Sequence, residues 1–284
     1  MIVFSDMDGT FLTSDKDVSP ASTAALDALA ELGIGFVPCT GRALTGVPPQ
    51  LLAHPAVRFA VTSNGASVVE LDPDDPSPDA ARTLRTVPLA RESALAVWKI
   101  AREHDVTFDV FADGHSYLRR DLYDRMAEFV SEPGTLASMR GNRTPVDAEP
   151  EQTIASVGTL ERLAMYWRDR RDREEILRAL ADVPGIAVTS SHPKNIEVMD
   201  ESASKGASLA WLCGHLGIDP AEAVAFGDNF NDIEMLETAG TGIAVANAEP
   251  EVLAHADRQT AGNDEDGVAR AIMELLGAGS AQAR

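Results

Sequence analysis

Ile2-Val3-Phe4-Ser5-Asp6-Met7-Asp8-Gly9-Thr10 decides the reading of this chain. A short β-rich run breaks off into acidic and small polar residues, the pattern of a buried strand feeding a tight loop. Ser19-Pro20 then opens a helix, with serine at the N-cap, proline at the first helical position, and Leu26, Leu29, Ala30 and Gly33 along one face. Two further apolar runs end the same way. Ile34 to Pro38 stops at Cys39-Thr40-Gly41-Arg42, and Phe59 to Thr62 stops at Ser63-Asn64-Gly65. Strands that each end in small polar residues, with helices between them, specify an α/β fold: a doubly wound, Rossmann-like parallel sheet. In such sheets the ligand site lies beyond the carboxyl ends of the strands.

The texture changes after residues 72–80, a Pro- and Asp-rich break read as a linker. An amphipathic helix is expected over Glu92–Glu103, and a hairpin where Val106–Phe111 and His115–Leu118 flank Ala112-Asp113-Gly114. Leu163–Trp167 reads as a strand and Glu174–Ala181 as a helix. These elements make an inserted α+β unit over 82–186, within a core formed by 1–81 and 187–284; a single large domain is the alternative. The doubly wound grammar then returns. Asn195–Met199, Ala223–Phe226 and Gly242–Ala246 read as core strands. Ser204-Lys205-Gly206 starts a helix striped by Leu209, Leu212, Cys213 and Leu216, and Val268, Ile272, Leu275 and Leu276 stripe the last one. Residues 277–284 are expected to fray.

The 284 residues carry 24 Lys plus Arg against 45 Asp plus Glu, a formal charge of −21. That balance excludes a binder of nucleic acid or anionic membrane, whose affinity rests on basic contacts that release counterions. Hydrophobic residues at 44% place the chain among folded globular proteins. Two cysteines, Cys39 and Cys213, lie far apart and outside any metal-binding spacing. With no signal-peptide pattern and no apolar stretch approaching a membrane span, a cytoplasmic protein is expected.

Four polar groups fall at strand ends or a helix start on one face: Asp6 with Asp8, Thr40, Lys205, and Asp228 with Asp232 in Gly227-Asp228-Asn229-Phe230-Asn231-Asp232. Carboxylates gathered in this way repel one another unless a hard cation is shared between them. Oxygen-only ligands point to Mg²⁺, which keeps several waters and accepts a substrate phosphate. Thr40, the amide of Gly41, and Lys205 supply the donors a phosphoryl group needs. Lysine is scarce, occurring only at positions 16, 99, 194 and 205, which sharpens the placing of Lys205 at a helix start.

These motifs, in this order, resemble the haloacid dehalogenase (HAD) superfamily, and specifically the Cof-type phosphatases with a type IIB cap. Asp6-Met7-Asp8-Gly9-Thr10 is similar to the first motif, Thr40-Gly41-Arg42 to the second, Lys205 to the third, and the Gly227–Asp232 stretch to the fourth. The short interval from Asp8 to Thr40 leaves no room for a cap, whereas the long one from Thr40 to Lys205 does. The resemblance implies a Mg²⁺-dependent phosphatase acting on a small phosphomonoester, a sugar phosphate or a phosphorylated cofactor or metabolite. Asp6 would form an aspartyl-phosphate and Asp8 would serve as acid and then base. Mg²⁺ would be held by Asp6, the main-chain carbonyl of Asp8 and Asp228, with Asp232 a ligand or a partner behind the ligands. Thr40, Gly41 and Lys205 would bind the phosphoryl oxygens. Arg42 and Asn64 are placed near the substrate, and Arg119, Arg120, Trp167 and Arg168 are candidates in the cap.

An EF-hand is excluded, because Phe11 and Asp17 stand where its loop needs glycine and glutamate. A non-hydrolytic phospho-acceptor or regulatory binding protein has no use for Asp8 or for a large insert. A phosphoryl-transferring mutase of this superfamily carries its cap at the earlier position. Neither the substrate nor the oligomeric state is readable from the sequence.

Overall fold

The computed structural model describes residues 1–282, with side chains to Gly277. Its strands are β1 (Ile2–Asp6), β2 (Gly35–Cys39), β3 (Phe59–Thr62), β4 (Ser67–Glu70), β5 (Arg82–Thr86), β6 (Asp109–Ala112), β7 (His115–Arg119), β8 (Thr144–Val146), β9 (Leu160–Tyr166), β10 (Ile186–Thr189), β11 (Asn195–Asp200), β12 (Ala223–Gly227), β13 (Thr241–Ala244) and β14 (Arg258–Gln259). They form two sheets. One has eight strands in the order β14-β13-β12-β1-β2-β3-β4-β5, and the other six in the order β10-β11-β9-β6-β7-β8.

In the larger sheet β14 through β3 run parallel, and β4 and β5 extend it antiparallel. Ile2, Val3 and Phe4 are buried on both faces of central β1, as a parallel strand covered by helices on either side requires. The helix Pro20–Glu31 begins as its sequence specifies: Ser19 Oγ accepts from the Ser22 amide at 3.0 Å, and proline takes the first turn. β1 and β12 lie side by side, so Asp6 and Asp228 leave the same edge of the sheet.

The smaller sheet is antiparallel except for the β7–β8 pair. The β6–β7 turn is as expected, with both Asp113 and Gly114 at positive φ. One face, bearing Phe108, Val110, Leu163, Met165, Ile196 and Val198, packs on the helices Arg91–Ala101, Pro150–Ser156 and Arg170–Leu180. The alternate residues, among them Phe111, Arg162, Tyr166 and Glu197, line a cleft shared with Asp6 and Asp8.

Three expectations are corrected. Residues 72–80 do not lead out of the first sheet; they connect β4 to β5 within it, and the chain crosses only after Thr86. Asn195–Met199 is a strand, but it pairs antiparallel with β9 and β10 rather than joining the parallel sheet. Its alternation of Asn195 and Glu197 with Ile196 and Val198 is that of a strand covered by apolar side chains on one face only. The expected limits of the insert, 82 and 186, therefore fall within β5 of the large sheet and at the start of β10 of the small one. The last helix runs Gly267–Gln282, and of the stretch expected to fray residues 283–284 lie outside the described residues. Among the described residues no helix is long and apolar enough to cross a membrane.

Candidate active site

Three loops and one helix start converge at the carboxyl edge of the large sheet. Asp6 ends β1, Asp228 follows β12, and Thr40 follows β2. Lys205 is the first residue of the helix Lys205–Leu216, capped by Ser204, whose Oγ accepts from the Ala207 amide at 2.9 Å. Gly65 fixes this corner. Its φ is +91°, and a Cβ there would stand 2.0 Å from the Ser204 carbonyl oxygen, so only glycine lets the loop after β3 close against the helix start.

Carboxylate oxygens of Asp6, Asp228 and Asp232 lie within 4.8 Å of one another. Lys205, 1% exposed, donates from Nζ to Asp6 Oδ1 and to Asp232 Oδ1, each at 2.5 Å. The second Asp232 oxygen accepts the amides of Asp228 and Asn229 at 3.0 and 3.1 Å. Thr10, which the sequence reading did not place in the site, donates its hydroxyl to Asp228 Oδ1 at 2.6 Å. Gly9 has φ +93°, and a Cβ there would approach Asp228 Oδ2 to 2.7 Å.

Taking Asp6 and Asp228 out of water beside Asp232 disfavours their charged forms. Burial pushes the Asp6 carboxyl well above its ordinary value; Lys205 pulls against this, and Asp232 and Asp228 add to it. Burial and the Asp232 charge push Asp228 up to about 7. For Lys205, burial disfavours the charge, but Asp232 and Asp6 outweigh it and hold the ammonium protonated. An all-oxygen set that carries excess negative charge fits a hard divalent cation.

Asp8 stands apart from this trio. Arg42 grips both its oxygens, and Lys16 Nζ lies 3.0 Å from Oδ1. Burial would raise the Asp8 carboxyl, yet Arg42 and then Lys16 outweigh it and hold it far below the ordinary carboxylate range. Lys16, at φ +69°, was seen in the sequence only as one of four lysines; nothing in its neighbourhood signals a reach across to Asp8.

Thr40 is buried, and its Oγ1 accepts the Arg42 amide at 3.0 Å. Gly41 and Arg42 line the cleft beside it. Asn64 is brought into the same corner: its Nδ2 donates to Glu197 Oε2 at 2.6 Å, and its Oδ1 accepts from Asn231 Nδ2 at 3.0 Å. The large sheet thus touches the small one through Asn64 and Glu197, and again through Ser63 Oγ and Glu161 Oε2 at 2.5 Å. Of the four cap candidates, none lines the cleft. Arg119 pairs with Asp121 and Glu149, Arg120 with Asp147, and Arg168 with Asp105 and Glu128, while Trp167 packs on the apolar core of the small sheet. The small sheet instead contributes Phe111, Ser116, Arg162 and Glu197, and the helix Pro133–Asn142 and the residue after it contribute Asn142 and Arg143.

A parallel-sheet core with acidic loops at its carboxyl edge, roofed by a mixed sheet inserted between β5 and the Lys205 helix, defines a class of hydrolase. The chain matches the haloacid dehalogenase-like hydrolases over residues 3–272 and belongs to that family. It is similar to YxeH of Bacillus subtilis strain 168, 29% identical over 282 residues that cover 95% of this chain and 96% of the relative. It is also similar to the pyridoxal phosphate phosphatase YbhA of Escherichia coli K12, 27% identical over 280 residues, 97% of this chain and 98% of the relative. Among solved structures, a HAD subclass IIB sugar phosphatase shares the fold at a TM-score of 0.79, with 20% identity and 96% of this chain and 98% of that chain covered.

Proposed function

We propose that this protein is a phosphatase that hydrolyses a small phosphomonoester at the Asp6 site through an aspartyl-phosphate, with Mg²⁺ as its cation. The observation that carries the reading is the triangle of Asp6, Lys205 and Asp232: a buried carboxylate aimed by a buried ammonium that favours its ionised form. A phosphatase with phosphomonoester substrates is what the family and its relatives support.

In the first step an Asp6 oxygen bonds to phosphorus in line with the leaving oxygen. The phosphorus–oxygen bond to the alcohol breaks, and Asp8 gives that oxygen a proton. In the second, water attacks phosphorus, its proton passes to Asp8, and the bond to Asp6 breaks to release inorganic phosphate. Thr40, the Gly41 amide and Lys205 bind phosphoryl oxygens as charge shifts between them. Asp6, Asp228 and the main-chain carbonyl of Asp8 would hold the cation. Asp232, with one oxygen on Lys205 and the other on two amides, would orient the site from behind. Bound there, Mg²⁺ supplies positive charge to the phosphoryl oxygens.

The reading assigns residues 1–86 and 201–282 to the catalytic core, and 87–200 to a cap that faces the leaving group. The test is phosphate release from a panel of phosphomonoesters, with and without Mg²⁺, by wild type and by Asp6→Asn and Asp8→Asn. Cation-dependent release that Asp6→Asn abolishes supports the proposal; full activity of Asp6→Asn ends it. With an aryl phosphate, whose departure needs little acid help, Asp8→Asn should accumulate phosphate on Asp6, visible in an acid-quenched mass spectrum.

A further inference from the structure

We infer that Arg162, Ser116 and Glu197 read the leaving group and select a neutral, polyhydroxylated one, a sugar or sugar alcohol, over a planar heterocycle or a group bearing a second anion. This inference rests on the phosphatase reading of the Asp6 site.

Arg162 and Ser116 line the cleft although they are only 3% and 1% exposed. Arg162 Nε and Ser116 Oγ have no hydrogen-bond partner among the described residues. Arg162 Nη1 lies 2.7 Å from Glu197 Oε1, an ion pair whose N–H directions miss the carboxylate. Buried donors left without acceptors are costly, and a ligand oxygen in the cleft removes that cost.

The charges on this wall cancel. Arg162 faces Glu197, and Arg143 Nε faces Asp109 Oδ1 at 2.8 Å. Each of these guanidinium groups already faces a buried carboxylate, so a second phosphate or carboxylate gains less from them than from unpaired ones and also meets the charge of Glu197. A hydroxyl accepts from Arg162 and Ser116 without bringing a second negative charge toward Glu197, whose oxygens already accept from Asn64, Ser191 and Asn195. Flat rings meet a different obstacle. The Arg162 guanidinium carbon lies 3.8 Å from the Phe111 ring centroid, so that face is occupied, and the Tyr166 ring packs against His192 at 5.6 Å. The cleft rings are thus engaged by protein neighbours rather than set out to stack a heterocycle.

The experiment measures kcat and KM, with Mg²⁺ present, for sorbitol 6-phosphate, pyridoxal 5′-phosphate, 3-phosphoglycerate and p-nitrophenyl phosphate. Wild type should prefer the sugar-alcohol ester over the second and third by at least about tenfold in kcat/KM. Its preference for that ester over p-nitrophenyl phosphate should fall at least about tenfold in Arg162→Met and about threefold in Ser116→Ala, chiefly through KM, with partial recovery in Arg162→Lys. Ser116→Ala removes a hydroxyl that pairs with nothing among the described residues, so it tests the idea even if Arg162→Met does not fold. Equal or better turnover of pyridoxal phosphate or phosphoglycerate, or an unchanged preference in Ser116→Ala and Arg162→Lys, overturns the inference and leaves the phosphatase reading standing. No release from any of the four overturns the phosphatase reading and this inference with it.

Discussion

Arg42 chelates Asp8: its Nε donates to Oδ2 and its Nη2 to Oδ1, each at 2.7 Å. A carboxylate gripped in this way is a poor acid, yet the proposed first step asks Asp8 for a proton. The cation favours the ionised form, so its removal raises the Asp8 pKa. A hydrogen bond to a charged group contributes about 1.5–3 kcal/mol, equivalent to roughly one to two pKa units. In Arg42→Met the alkaline limb of the pH profile of kcat/KM should move upward by about that interval. An unmoved limb in a folded variant would show that Arg42 does not govern Asp8.

Lys205 is the only cation that Asp6 and Asp232 touch among the described contacts. Lys205→Met leaves two buried carboxylates without the ammonium they share, although Asp232 keeps its two amide donors. Breaking a buried pair by removing one partner costs about 3–5 kcal/mol. Urea unfolding should show that loss, along with abolished phosphate release. A variant that keeps wild-type stability would mean that the carboxylates protonate or rehydrate at little cost.

The raised carboxyl of Asp228 sets the sign of a pH effect on stability. Its folded value is pushed up to about 7 from an ordinary 3.8, so between those values the folded protein binds more protons than the unfolded chain. Without divalent cation, stability should therefore decline as pH rises from about 4 to 7, with Asp6 contributing in the same direction. Mg²⁺ at a hundredfold excess over Kd restores about 2.7 kcal/mol. The gain on adding Mg²⁺, read as a rise in Tm, should be larger at pH 8 than at pH 5. The opposite order would argue against cation binding by these carboxylates.

Gly9→Ala probes the approach of backbone to Asp228. The added methyl must displace the Asp228 carboxylate, and the positive φ adds strain of order 1–3 kcal/mol. Phosphate release should fall by at least about a hundredfold, and stabilisation by Mg²⁺ should shrink. The two losses are expected together, because both depend on where the Asp228 oxygens stand.

What the sequence disclosed follows from where each residue's partners lie. Asp6, Thr40 and Asp228 were legible because a parallel sheet aligns its strand ends, so polar residues at those ends must meet, and Lys205 was legible as a rare lysine at a helix start. Asn64 was legible as a neighbour of the site, but its contact with Glu197 was not. Glu197, Arg162, Ser116 and Arg143 come from elements far apart in the chain, and each reads locally as an ordinary charged or polar residue in a strand or loop. The strand at Asn195 was recognised by its composition, but composition does not say which sheet it will join. Its polar–apolar alternation carried that information and points to one-sided covering. Arg119, Arg120 and Arg168 were singled out for their charge, and neighbouring carboxylates neutralise it outside the cleft.

Both passages between the two sheets run past Ala66. Val87 donates its amide to the Ala66 carbonyl at 2.8 Å, and Met199 and Ala203 pack with Ala66 in a small cluster of their own. The roof is therefore spliced in at a single spot while keeping an independent apolar interior, the architecture of an exchangeable cassette. On the proposed function, a roof exchanged at these two seams would change the leaving group admitted while the Asp6 site stays in place.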